Sequence, residues 1–196
     1  VLKRLFDICV SLIGILVLLP LFLVISLAMV ATCGFPVFYF QTRVGMHNKD
    51  FKLFKFRTMH ANADKKGLLT VGGRDPRVTP IGYYLRKYKL DELPQLFNVI
   101  LGDMSLVGPR PEVRKYVALY SKDQQVVLSV KPGITDYASL EYINENELLS
   151  HSSDPESTYI NEIMPAKLAL NKRYIDDQGL FTDLKVIFKT IRKIVA

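Results

Sequence analysis

The stretch that decides the fold runs from Ile8 to Cys33, ICVSLIGILVLLPLFLVISLAMVATC. It holds 26 positions without a charge, 21 of them apolar, and the exceptions are Ser11, Gly14, Pro20, Ser26 and Thr32. Hydropathy of that length is sufficient for insertion into a bilayer. As a helix the segment reaches about 39 Å, enough for a tilted or kinked crossing as well. A secretory signal is a poor match, because the apolar part is too long and no small-residue cleavage site follows. A core helix hidden on every side needs more surrounding protein than 196 residues supply. Lys3 and Arg4 precede the run, and Arg43, Lys49, Lys52, Lys55 and Arg57 follow it. Positive charge on both flanks gives no preference for a single crossing, whereas a re-entrant hairpin satisfies both. Pro20 removes a backbone donor and clashes with the turn around Leu16, which places the predicted bend near the middle.

Outward from this segment, the remaining length suits one modest domain. The expected division is a re-entrant membrane helix over residues 1–35 and a cytoplasmic and interfacial catalytic region over 36–196, together one domain. With 49% apolar and 23% charged residues, collagen-like and mainly disordered chains are excluded. Cys9 and Cys33 are too few for a disulfide scaffold or a four-ligand zinc site.

Residues 36–57 contain two aromatic and β-branched stretches around Gly45 and Asn48, which predicts a short hairpin. Between Arg43 and Lys89 twelve basic residues stand against three acidic ones, so this region is expected to face an anion. Residues 62–75 read as a polar loop, followed by predicted helices over 81–90, 93–101 and 113–128. From Glu141 to Glu162 six acidic residues meet no Lys or Arg, a solvated surface or a polar selecting face. LFTDLKVIFKTIRKIVA, residues 180–196, pairs apolar and basic positions at helical spacing and predicts an interfacial amphipathic helix. The fold class expected is α+β, mainly helical and monotopic, with a small hairpin and interfacial helices.

Asp91 and Glu92 are adjacent carboxylates beside the basic concentration. One can face a pocket while the other orients, or both can be an acidic pair favoured by a helix start. In GDMSLVGPRPE, Asp103 can hold a cation or a base, and Arg110 between Pro109 and Pro111 can bind phosphate bidentately. Gly102 and Gly108 allow close backbone approach, although a packed structural turn uses the same residues. Dinucleotide, P-loop, zinc-hydrolase and serine-hydrolase signatures are absent from the sequence.

KRLFD (3–7), QTRVG (41–45), KFRTM (55–59), LDELPQLFNVILGDMSLVGPRP (90–111) and KPGIT (131–135) span most of the chain in order. Together they resemble the bacterial sugar transferase family of small monotopic phosphoglycosyl transferases. The resemblance implies transfer of a phosphosugar from a nucleotide diphosphate sugar to polyprenol phosphate at the cytoplasmic face of the bacterial inner membrane. It implies Asp91 as nucleophile, Glu92 as a proton-handling or positioning neighbour, and Mg2+ held with Asp91 and Asp103. Phosphate binding maps to Lys55, Arg57, Arg86 and Arg110, and the nucleotide is expected to be uridine. After KPGIT, relatives continue with a Gly-Trp-Ala-Gln-like segment, whereas this chain reads DYASLE, so Asp136 and Tyr137 either contact the sugar or support the acidic region. Membrane lipids are expected partners, nucleic acid is not, and homo-oligomerisation is left open. The competing readings are a membrane-anchored module that binds phosphorylated lipid or nucleotide, and a polyprenol diphosphate hydrolase.

Overall fold

The computed structural model describes residues 1–63, 67, 69–72 and 75–195. Helix α1 (Leu2–Cys33) carries the whole apolar run as one unbroken helix that continues through Pro20. The ring of Pro20 lies inside the helix and removes the bond to Leu16. Both ends of α1 are fastened to the folded body. At the start, Lys3 pairs with Asp183, Arg4 donates to the carbonyls of Val99 (2.6 Å) and Ile100 (3.1 Å), and Asp7 accepts from Ser105 Oγ (2.8 Å). At the end, Arg57 donates to the carbonyls of Cys33 (2.8 Å) and Gly34 (2.6 Å), partners for groups the helix leaves open. One face buries Phe22, Ile25 and Met29, while Leu12, Leu16, Val17, Leu23, Val24 and Leu27 are exposed.

The predicted hairpin is present as β1 (Phe38–Val44) and β2 (Asp50–Phe56), antiparallel with Phe38 opposite Phe56 and Val44 opposite Asp50. Its turn places His47 and Asn48 in the left-handed region. Leu53 and Phe56 point inward, and Phe56 packs at 5.4 Å from the Phe22 ring of α1. In the polar loop, Asp64, Lys65, Lys66, Leu68, Gly73 and Arg74 lie outside the described residues; those described around them form no helix or strand longer than one turn.

Helix α2 (Pro80–Lys87) starts on a Thr79 cap whose hydroxyl accepts from Gly82 N at 3.0 Å. It ends earlier than residue 90, because Lys89 turns left-handed at φ 56° and a 3-10 turn (Leu90–Glu92) follows. Pro94, lacking an N–H, separates that turn from α3 (Gln95–Leu101), so the predicted second helix begins late. β3 (Ser105–Val107) comes next. The helix expected over 113–128 is instead α4 (Arg114–Val117) and a separate 3-10 turn (Gln124–Ser129). Ser121 and Gln124 cap one another there, and Asp123 is drawn to Lys172, which together break the periodicity.

β4 (Gly133–Thr135) runs parallel to β3 in a register pairing Ser105 with Gly133 and Val107 with Thr135. The rest is helical: α5 (Tyr137–Glu141), α6 (Glu145–Ser150), α7 (Pro155–Thr158), a π-turn (Tyr159–Ile163), α8 (Met164–Asp177) and α9 (Leu180–Val195). α9 is amphipathic as expected, with Phe181, Leu184, Phe188 and Ile191 exposed and Val186 buried. Three apolar clusters hold the body: Phe22, Met29, Phe56 and Leu85 under α1; Leu53, Val99, Met104 and Tyr174 at the centre; and Tyr116, Leu149, Tyr159 and Leu168 beneath α6 to α8.

Candidate active site

The 3-10 turn at Leu90–Glu92 presents two neighbouring carboxylates to different surroundings. Lys55 from β2 reaches Glu92 Oε1 at 2.9 Å, and Arg110 grips both Glu92 oxygens, with Nη1 at 3.1 Å from Oε2. Burial alone would raise the Glu92 carboxyl, but the charges and hydrogen bonds of Arg110 and Lys55 hold it well below the usual carboxylate range. Burial lowers the Lys55 ammonium against the pull of Glu92, while Glu92 raises the already high value of Arg110.

Asp91 is 7% exposed, and no described residue donates a hydrogen bond to its carboxylate. Burial, and then the Glu92 charge, raise its pKa against the opposing charges of Lys55, Arg86 and Lys89. A desolvated and unbonded carboxylate is more basic than an ordinary one and available to a ligand.

Arg110 is positioned by backbone contact between two glycines. Gly108 N donates to Thr135 O at 3.1 Å and Gly133 N to Pro109 O at 3.0 Å. A Cβ on Gly133 would lie 2.0 Å from Gly108 N, so only glycine lets the KPGIT segment lie against GPRP. Asp136, fully buried, then accepts from Arg110 N at 3.2 Å and from Ser139 N at 2.6 Å, capping α5 while fixing the GPRP turn.

Asp91, Glu92, Lys55, Arg57, Arg86, Lys89 and Arg110 all line one cavity of about 950 Å³. Arg86 donates to Thr70 Oγ1 at 2.8 Å, and Arg57 is occupied with the end of α1. Asp103, Asp136 and Tyr137 are not part of this lining. Asp103 sits at the end of α3, 3.4 Å from Asn98 Nδ2, and Tyr137 packs edge-on against Tyr174. The lining also includes Val10, Gly14 and Leu18 of α1 and Ile187, Ile191 and Ile194 of α9, so a charged centre opens onto apolar walls. Glu112, Glu145, Tyr159 and Lys167 line it as well and were not singled out from sequence as binding residues. Glu112 follows directly on GPRP; the other three have no local signature.

Among the described residues no group of three His, Cys, Asp or Glu side chains could hold a metal ion. Mg2+ commonly takes one or two carboxylates and completes its shell with substrate phosphates and water, and the unbonded Asp91 carboxylate fits that kind of donor set.

The sequence profile described as bacterial sugar transferase matches residues 1–196. The chain belongs to that family. Over 196 residues it is 39% identical to the uncharacterized sugar transferase EpsL of Bacillus subtilis, covering 100% of this chain and 88% of that protein. It is 36% identical to a UDP-N-acetylgalactosamine-undecaprenyl-phosphate N-acetylgalactosaminephosphotransferase of Aeromonas hydrophila, over 98% of this chain and 43% of that one. A UDP-glucose:undecaprenyl-phosphate glucose-1-phosphate transferase of Klebsiella pneumoniae is 38% identical, over 98% of this chain and 40% of its own length. The chain thus spans less than half the length of these two relatives with named substrates. The phosphoglycosyl transferase class expected from the motifs is borne out by the family.

Proposed function

We propose that this chain moves a phosphosugar from a uridine diphosphate sugar to polyprenol phosphate through a covalent intermediate on Asp91. The observation that carries the proposal is the contrast within one turn: Glu92 is saturated by two cations, and Asp91, buried beside them, is bonded by none.

In the first step an Asp91 oxygen forms a bond to the phosphorus that bears the sugar. The phosphorus–oxygen bond to the nucleoside monophosphate breaks, and the electron pair leaves with that oxygen. An ionised carboxylate needs no base to attack. In the second step a polyprenol phosphate oxygen attacks the same phosphorus, the bond to Asp91 breaks, and the carboxylate is regenerated. Lys55, Arg86 and Arg110 offset anion repulsion and the charge of the transition state. Glu92, held ionised, keeps Lys55 and Arg110 converged and serves as a positioning residue. Mg2+, held by Asp91 and the donor diphosphate, would supply further charge neutralisation.

The apolar walls formed by α1 and α9 suit a lipid acceptor whose phosphate meets the charged centre without leaving the bilayer. We place α1 as a re-entrant anchor at the cytoplasmic face of the inner membrane, residues 1–35, serving the catalytic region 36–196. Rapid quenching after mixing with Mg2+ and donor alone, then peptide mass spectrometry, should find the phosphosugar on Asp91 with one equivalent of nucleoside monophosphate released. An adduct on Glu92, or donor binding without release, overturns the proposal.

A further inference from the structure

One stretch of the cavity lining takes no part in the steps above: Arg43, Glu112, Glu145, Asn146, Tyr159 and Lys167. Part of it is a saturated floor. Glu112 Oε1 accepts from Arg43 (2.7 Å) and from Val113 N (2.9 Å), and Oε2 accepts from Tyr159 OH (2.6 Å). The Tyr159 ring is itself covered, by Tyr116 at 4.9 Å between centroids and by the Lys167 ammonium at 5.6 Å, so it offers little free face for a base to stack on. The rest has spare capacity. Lys167 Nζ makes one hydrogen bond, to Glu145 Oε2 at 2.5 Å, which leaves two of its donors and the other Glu145 oxygen without partners among the described residues.

Charge separates this wall from the catalytic centre. Around Asp91 and Glu92 stand Lys55, Arg86, Lys89 and Arg110, an excess of positive charge suited to a diphosphate. In the wall, Arg43 and Lys167 are balanced by Glu112 and Glu145. The two zones adjoin, since the Glu145 charge is among those that act on Arg110. A neutral group bearing several hydroxyls, attached to a phosphate held at Arg110, matches a balanced wall that offers carboxylate acceptors and ammonium donors side by side. Sites that hydrogen-bond a hydroxyl also discriminate strongly against analogues that lack it or displace it.

We infer that Glu145 and Lys167 read the hydroxyls of the donor sugar, over a rigid floor formed by Glu112, Tyr159 and Arg43. This rests on the phosphosugar-transfer reading above. It moves sugar selection away from Asp136 and Tyr137, which lie outside the cavity lining, to the junction of α6 and α8.

The test is the charge swap Glu145→Lys/Lys167→Glu in the full chain, reconstituted in lipid nanodiscs. The swap keeps the ion pair that ties α6 to α8 while exchanging donor and acceptor positions. Donor turnover is followed with polyprenol phosphate present, for UDP-glucose and UDP-N-acetylgalactosamine, together with inhibition by uridine monophosphate. The ratio of kcat/KM for the two donors should shift by about tenfold or more, with nucleotide inhibition changed less than twofold. Glu145→Gln, which retains size and one acceptor oxygen, should shift the ratio in the same direction by less, and gives the same readout if the swap does not fold. An unchanged ratio in a folded variant overturns the inference. A parallel loss of nucleotide inhibition also overturns it, by assigning the wall to the nucleoside. Absence of monophosphate release from any donor by the unsubstituted chain overturns the transfer reading and this inference with it.

Discussion

Asp91 and Glu92 share a peptide bond but not an electrostatic environment: Glu92 accepts from both Lys55 and Arg110, whereas the Asp91 carboxylate accepts from no described side chain. Asp91→Asn should therefore abolish transfer by about 10³-fold or more, as expected for loss of a nucleophile. The same substitution should raise Tm at neutral pH. The folded-state pKa of Asp91 lies above its unfolded value, so the folded chain holds the extra proton between the two. The contribution of this group to stability falls as pH rises through that window, and the ionised carboxylate is a net destabilisation above it. Asparagine removes that burden. A folded D91N variant with lower Tm than the parent contradicts this account.

The raised Asp91 pKa also governs the rate. Attack needs the carboxylate, so adduct formation should decline as pH falls through a value above the ordinary aspartate range. Stopped-flow release of nucleoside monophosphate across pH, with donor well below saturation so that the free enzyme's ionisation is read, measures that limb. Glu92 contributes no limb near neutrality, because Arg110 and Lys55 keep it ionised well below. An acid limb at the ordinary aspartate value would remove desolvation from the argument.

Glu92→Gln should cut kcat by about 10²-fold or more and weaken donor binding less, since it releases two cations from their converged position without removing either. Removing one partner of a buried charge cluster also leaves Lys55 and Arg110 to repel each other. Glu92→Asp, with the charge kept but the reach shortened, should recover part of kcat. Full activity in Glu92→Gln would show that the clamp is not needed.

Much of this arrangement is legible in the sequence. The long apolar helix and the β1–β2 hairpin follow from periodicity and turn residues that act locally. The family motifs brought Asp91, Glu92, Lys55, Arg86 and Arg110 forward, and all five line one cavity. The misses have a common physical origin in contacts distant along the chain. Asp136 reads from sequence as a sugar contact or a support for the acidic region, whereas β3–β4 pairing sets it under Arg110 N. The helix expected over 113–128 had adequate periodicity, but a reciprocal side-chain cap at Ser121–Gln124 competes with it. Lys167 and Glu145 are 22 positions apart, and no spacing rule joins them.

Gly133→Ala should be among the most damaging single-methyl substitutions in the chain. Its Cβ meets backbone at 2.0 Å, which no rotamer change relieves, so GPRP and KPGIT must part. A loss on the order of 1–3 kcal/mol of stability is expected from such overpacking, together with a raised donor KM as Arg110 moves. Thermal melts and donor titrations measure both, and Gly179→Ala, where nothing lies within 4 Å, is the matched control.

Cysteine accessibility in sealed vesicles reports the placement of α1. Probes at position 1 and at exposed sites in 36–196, such as Leu119, should react from the same side, because Lys3, Arg4 and Asp7 are bonded to the body that carries the cavity. Labelling from opposite sides would make α1 a crossing helix.

The double fastening of α1 gives it no slack. A tethered enzyme sweeps a volume set by its linker, but here Arg4 and Arg57 clamp opposite ends of the helix to the same body that holds Asp91. Once α1 settles in a bilayer, the height of the Asp91 carboxylate over the lipid is fixed to within the give of a packed interface. Under the proposed function, the search for a lipid phosphate then becomes two-dimensional, over one plane at one depth. On that reading bilayer thickness and headgroup size act as dimensions of the active site, and a lipid whose phosphate rides a few ångströms too high or too low is excluded before any side chain touches it.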